Sequence, residues 1–108
     1  MKKFDAIIIG FGKGGKTLAG ALAAAGRSVA VIEQSAQMYG GTCINAACIP
    51  TKSLVHSATQ SAVQGGSFEE KSGRYTQAID TKDRLTSMLR GKNYHKLADN
   101  PDITVIDG

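Results

Sequence analysis

Apolar residues in the first third of the chain fall into two short unbroken runs separated by a stretch of small residues. Phe4 to Ile9 carries its isoleucines consecutively, without polar residues between them, which is the pattern of a parallel strand buried on both faces. Gly10 to Gly15 reads as a glycine-rich turn. The spacing beyond it predicts a helix over about Lys13–Ala25, with Leu18, Leu22 and Ala25 at offsets of 0, 4 and 7 on one face and Gly26 at its C-terminal end. Ser28 to Ile32 is a second apolar run and ends on an acid, Glu33. Strand, turn, helix and strand within about 30 residues make a βαβ unit, right-handed by the general rule for parallel crossovers.

A polar loop, Gln34 to Thr42, leads into a segment holding both cysteines. A helix continues from there through Leu54 and Val55 to about Val63, where Gly65-Gly66-Ser67 breaks it. A further helix is predicted over about Tyr75–Leu97, with Ala78, Leu85, Met88 and Leu89 on its apolar side and Gly91 as a weak point. Asn100-Pro101 ends it, and Ile103 to Ile106 gives a third short strand. The expected fold is α/β: a Rossmann-like, three-layer half-domain with a short parallel sheet of about three strands and flanking helices.

Bulk properties narrow the function classes. A chain of 108 residues, 42% of them hydrophobic, can form one modest domain with one core. The net charge is +4, but the 13 Lys and Arg are scattered and not clustered beside aromatics, so no nucleic-acid partner is expected. Met1-Lys2-Lys3 followed by Ala6 to Ile9 resembles the start of a signal peptide, yet Asp5 interrupts it and the apolar run stops at Gly10. That run is too short for a signal core or a membrane span, so a cytoplasmic, reducing environment is expected.

The turn itself satisfies two phosphate-binding patterns. GFGKGGKT, residues 10 to 17, is GxGxxG through Gly10, Gly12 and Gly15, and GxxxxGKT through Gly10, Gly15, Lys16 and Thr17. Both patterns point backbone N–H groups and a helix N-terminus at anionic oxygens. An ATP or GTP hydrolase would use Lys16 and Thr17 and an acid for Mg²⁺, for which Asp107 is available. A dinucleotide site demands an acid about 20 residues beyond the glycines, at the end of the second strand. Glu33 lies 18 residues past Gly15 and ends that strand, which favours the dinucleotide.

GGTCINAACIPTK, residues 40 to 52, sets Cys43 and Cys48 five apart. On one regular helix their Cα atoms would be about 8.7 Å apart, beyond the ~7 Å reach of a disulfide. A bridge therefore needs an irregular backbone between them, and Pro50, comfortable only in a first turn or at a kink, is consistent with one. A helix N-terminus close by, or Lys52, would favour the thiolate form. Zinc binding is one reading, but His56 and His95 are the only histidines and stand at no recognised spacing. Two inert buried thiols are another, and a static disulfide is disfavoured in a reducing compartment. Redox exchange is the reading that a strained small ring favours.

The segment resembles the GGTCxNxGCxPxK signature of the class I pyridine nucleotide-disulfide oxidoreductases, the group that includes glutathione reductase, dihydrolipoamide dehydrogenase and mercuric reductase. FGKxGKT and MYGGTC are most similar to the bacterial branch associated with resistance to reactive chlorine species. The resemblance implies an FAD-dependent enzyme, with Gly10, Gly12, Gly14 and Gly15 admitting the FAD pyrophosphate and Glu33 binding the adenosine ribose. It implies that Gly41 and Thr42 continue the FAD contacts and that Lys52 lies near the reactive edge of the flavin. Cys48 is then the charge-transfer thiol and Cys43 the interchange thiol that meets an oxidised small-molecule substrate, with NAD(P)H as the electron source. Residues 1–108 would be the N-terminal portion of a longer FAD/NAD(P)-binding protein, a homodimer, with its NAD(P)H and dimerisation domains elsewhere. The isolated portion would bind nucleotide without turnover.

One departure stands out. Ala47 precedes the second cysteine where the family pattern has glycine, so a positive φ or a close flavin contact there would cost on the order of 1 kcal/mol. His56 and His95 lie outside any motif and are expected on helix surfaces.

Overall fold

The computed structural model describes residues 1–108. Three strands, β1 (Ala6–Ile9), β2 (Val29–Glu33) and β3 (Ile103–Asp107), form one parallel sheet in the order β1-β2-β3. The register pairs Ile8 with Val31 and Val31 with Val105, and sets Glu33 beside Asp107 at the C-terminal ends. Helix α1 (Lys13–Ala24) makes the first crossover. The second carries a 3₁₀ turn (Ala36–Met38), a four-residue helix α2 (Thr42–Asn45), α3 (Cys48–Gln64) and the 31-residue α4 (Phe68–Ala98).

The core lies on one face of the sheet. Val29, Val31 and Ile103 pack there with Phe11, Ala19, Ala23 and Leu97, flanked by Ala6, Ile8 and Val105. The opposite face is open: Ile7 is 63% and Ile9 86% exposed, and Ile106 is also exposed. β1 is therefore half-covered, where its unbroken isoleucine run predicts burial on both faces. The helices of residues 1–108 cover only one side, and the alternation of the strand turns every second isoleucine to the other.

The inward stripe of α1 also differs from the predicted one. Ala19 and Ala23 are buried and Leu22 partly so, while Leu18 is 53% exposed. The cause is the close approach of the helix at Gly15, where a Cβ would stand 2.6 Å from the Gly10 carbonyl oxygen and 2.9 Å from Ile8 Cγ2. A helix held that close to the strands presents its small residues, Gly15, Ala19 and Ala23, at i, i+4 and i+8.

Helix α4 begins seven residues before its predicted start, at a capping box. Ser67 Oγ accepts the Glu70 N–H at 3.2 Å, and the Glu70 carboxylate accepts the Ser67 N–H at 3.0 Å. This arrangement satisfies end donors that the hydrophobic pattern does not register. Arg74 ties α4 back to α3 by donating to Ser61 Oγ at 2.8 Å and to the Gly65 carbonyl. The resulting helical hairpin stretches the molecule to 62 × 23 × 18 Å. No helix is long and apolar enough to cross a membrane.

Candidate functional site: the glycine turn and the cysteine pair

The turn after β1 is built around Phe11. Gly10, at φ +99, reverses the chain and donates its N–H to the Ile32 carbonyl at 2.7 Å. Phe11, fully buried, drops between two glycines into the core, where its ring meets Tyr39 at 5.3 Å. Its own N–H is turned to the end of β2 and is accepted by Glu33 Oε2 at 3.0 Å, while Glu33 Oε1 accepts the Ser35 N–H at 3.1 Å. Glu33 is only 8% exposed. A strand-end acid of the ordinary kind is solvated; this one braces the turn, and each of its oxygens keeps a free lone pair.

Beyond the turn, Gly12 caps α1 without any side-chain hydrogen bond, and the first turn holds no acidic residue. The N–H groups of Lys13, Gly14 and Gly15 consequently have no acceptor within the helix. A Cβ at Gly12 or Gly14 would meet nothing within 4 Å, so the main chain there is open to a ligand. The glycines thus divide their tasks: Gly10 and Gly15 shape the turn, and Gly12 and Gly14 leave a surface free. Donors, dipole and bare backbone fit a diphosphate group.

The residues required for triphosphate hydrolysis are engaged elsewhere. Lys16 Nζ donates to Asn93 Oδ1 on α4, the Thr17 hydroxyl donates to the Lys13 carbonyl at 2.7 Å, and Asp107 accepts the Tyr39 hydroxyl. Burial holds the Lys16 pKa below its usual value, with the charges of Lys96 and Lys13 adding to the effect.

The cysteine segment is seated on this turn. Gly41 is buried at φ +85, and a Cβ on it would lie 2.7 Å from Gly12 Cα, so the loop backbone rests directly on the glycine turn. Thr42, the first residue of α2, is exposed beside it. Cys43 and Cys48 are joined by a disulfide with their Cα atoms 4.6 Å apart. The break in the helix lies between them: Ala46 and Ala47 leave helical geometry at φ −134 and −128, and α3 starts afresh at Cys48. Ala47 has a negative φ, so replacement of glycine there needs no left-handed backbone. Pro50 is the third residue of α3, inside the first turn, where its missing N–H has no helical partner to lose.

Cys48 is exposed and Cys43 half-buried. Lys52 is exposed one turn along α3 from Cys48 and makes no ion pair. His56 is exposed on α3, and His95 pairs with Asp99 at 3.2 Å on the surface of α4. The largest hollow, about 460 Å³, lies between α3 and α4 against Leu54, Ala58, Tyr75 and Ala78 and touches neither sulfur.

Two residues that the sequence reading leaves without a role hold the segment in place. Asn45 Nδ2 donates to the carbonyls of Tyr39 at 2.9 Å and Gly41 at 2.8 Å. Arg90 of α4 donates from Nε to Asn45 Oδ1 at 2.8 Å and from Nη1 to Gln37 Oε1 at 2.8 Å. Asn45 is marked by its place in the cysteine signature; Arg90, 45 residues away, is marked by nothing local.

Comparison with known proteins agrees with this geometry. The chain is 55% identical over 108 residues to the probable pyridine nucleotide-disulfide oxidoreductase RclA of Escherichia coli K12, covering 100% of this chain and 22% of that one. It is 35% identical over 94 residues to dihydrolipoyl dehydrogenase 3 of Pseudomonas aeruginosa, covering 86% of this chain and 19% of the relative. Among solved structures, the Cu(II) complex of the HOCl-induced flavoprotein disulfide reductase RclA from Escherichia coli superimposes with a TM-score of 0.86 at 56% identity, over 100% of this chain and 22% of that one. The chain therefore spans about a fifth of the length of these relatives. The sequence profile of the pyridine nucleotide-disulphide oxidoreductases matches residues 4–105, which takes in the glycine turn, Glu33 and both cysteines, and the chain belongs to that family.

Proposed function

We propose that residues 1–108 form the first part of the FAD-binding domain of an NAD(P)H-dependent flavoprotein disulfide reductase, in which the Cys43–Cys48 pair passes electrons to an oxidised small-molecule substrate. The observation that carries this reading is the seat of the Gly41 backbone on Gly12, because it puts a disulfide beside a turn shaped for a diphosphate. The open apolar face at Ile7, Ile9 and Ile106 supports the view that further chain completes the domain. By family resemblance the whole protein is a cytoplasmic homodimer, with its NAD(P)H and dimerisation domains outside these residues.

FAD, when bound, supplies the two-electron chemistry that links NAD(P)H to the sulfurs. The N–H groups of Lys13, Gly14 and Gly15 would hold its pyrophosphate, approached across Gly10 and Gly12, and the free lone pairs of Glu33 would accept ribose hydroxyls. Gly41 and Thr42 would extend that contact toward the sulfurs. Reduction of the disulfide takes up two electrons and separates Cys43 from Cys48. Cys48, at the N-terminus of α3 with Lys52 one turn on, is kept as thiolate by the helix dipole and the lysine charge. Cys43, freed, attacks the oxidised substrate, breaking the substrate's own oxidised bond and expelling one reduced half with a proton. Cys48 then attacks the Cys43 sulfur, breaking its bond to the other half, so the two electrons leave with the reduced substrate and the disulfide is restored.

Thermal unfolding with added ligands tests the binding half of this reading. FAD should protect the chain while Mg²⁺-ATP and Mg²⁺-GTP should not; protection by the triphosphates alone would sink it. Cys48→Ser in the full-length protein should abolish thiol-linked reduction and the long-wavelength absorption band, and retention of both would defeat the role given to the pair. The bare sheet face favours a second statement, that these residues alone bind without turning over. Flavin-linked NADPH oxidation by the 108-residue chain would reject it.

A further inference from the structure

Helix α2 has four residues, too few to hold themselves as a helix in water, yet Cys43 sits in the middle of it. While the disulfide is closed, the bond to Cys48 fixes the turn. Once the bond opens, something else must keep Cys43 in place if the pair is to close again. The hydrogen bonds of Asn45 and Arg90 are suited to that task. Asn45 clamps the two carbonyls that precede Cys43, those of Tyr39 and Gly41, with the two hydrogens of one amide nitrogen. That leaves Asn45 Oδ1 to be satisfied, and Arg90 Nε satisfies it from a 31-residue helix. The second arm of the guanidinium, on Gln37, sets the plane of the fork. None of these contacts involves sulfur, so none is lost when the disulfide is reduced.

We propose that Arg90 is a positioning residue for the cysteine pair: by orienting the Asn45 amide it anchors the α2 turn to α4 and keeps Cys43 within bonding reach of Cys48 in the dithiol state. This rests on the reading of the pair as one that opens and closes. The closed disulfide is favoured over the dithiol in proportion to the effective concentration of one thiol at the other, and the Arg90–Asn45 contact raises that concentration.

The test is a thiol–disulfide equilibrium with dithiothreitol, measured without flavin. Opening the protein bond takes two electrons and two protons from dithiothreitol, which closes its own ring disulfide. Protein equilibrated in mixtures of reduced and oxidised dithiothreitol is quenched with acid, alkylated and weighed. Arg90→Ala should shift the equilibrium about tenfold toward the dithiol, the size expected for losing a part-buried charge-assisted hydrogen bond. Arg90→Lys, which keeps a donor and loses the fork, should fall between parent and Arg90→Ala. Arg84→Gln, which removes an exposed ion pair with Asp80 on the same helix, should match the parent. An Arg90→Ala equilibrium within twofold of the parent would overturn the proposal. If Arg90→Ala does not fold, Asn45→Asp carries the test with the same two outcomes: it keeps the acceptor for Arg90 and removes both donors to the loop carbonyls. Because flavin is absent, failure here is distinguishable from failure of FAD to protect the chain.

Discussion

The Glu33 carboxylate accepts the backbone N–H of Phe11 at 3.0 Å, joining the end of β2 to the glycine turn that follows β1. The contact spans 22 residues and is buried, so turn and strand move as one body. Glu33→Ala would leave the Phe11 donor buried without an acceptor, at a cost of about 2 kcal/mol in denaturant unfolding. Glu33→Gln, which can still accept one of the two N–H groups, should cost less and should separate the structural role of the acid from its charge.

Neighbouring glycines should respond in opposite ways to alanine. Gly15→Ala drives a Cβ into the Gly10 carbonyl and Ile8, and should destabilise the chain by about 2 kcal/mol or more. Gly14→Ala meets open space, and the better helix former should stabilise α1 by up to about 1 kcal/mol. If Gly14 lies against the diphosphate, that same variant should bind FAD more weakly. Chemical unfolding and FAD titration of both variants check the division of tasks.

Cys48 is the more exposed residue of the pair and begins a helix, so after reduction, in the chain without flavin, it should react with iodoacetamide before Cys43. Added FAD should slow alkylation at Cys48 more than at Cys43. Peptide mapping after timed quenching gives both rates, and equal protection of the two sulfurs would place the flavin elsewhere.

Tyr39 donates its hydroxyl to Asp107, and this bond, with burial and the charge of Asp107 behind it, pushes the Tyr39 pKa up to about 12. The unfolded tyrosine titrates near 10, so the folded state holds this proton more tightly. The contribution is complete below pH 10 and is lost as pH rises from 10 toward 12. Unfolding midpoints across that range should fall in the parent and fall less steeply in Tyr39→Phe.

Asp5 shows the opposite sign. Hydrogen bonds from the Ser28 N–H and hydroxyl hold its carboxyl below the usual carboxylate range, with Arg27 adding a little. Stability from this pair is present above the unfolded value near 3.8 and is lost as pH falls through the lower folded one. Asp5→Asn should therefore lower stability in the neutral region, where the contribution is present, and converge on the parent at acid pH, which flattens the acid limb of the stability curve.

Local pattern alone determined much of this molecule. The apolar runs gave the three strands, the glycine spacing located the turn, the breakers at Gly65 and Pro101 ended the long helices, and the distance from Gly15 to Glu33 matched one crossover. The cysteine signature carried the family, because its residues act on one another within a few positions: a bridge across five residues requires the break that Ala46 and Ala47 provide. Tertiary structure decided what depends on neighbours far along the chain. Which stripe of α1 faces inward follows from the close approach of Gly15 to β1, and the exposure of Ile7 and Ile9 follows from helices lying on one side of the sheet only. The bracing of the turn by Glu33, the diversion of Lys16 to Asn93, and the hold of Arg90 on Asn45 join residues 22, 77 and 45 positions apart. Periodicity and spacing report the geometry of a single element; a contact between elements depends on how those elements pack, which no local window contains.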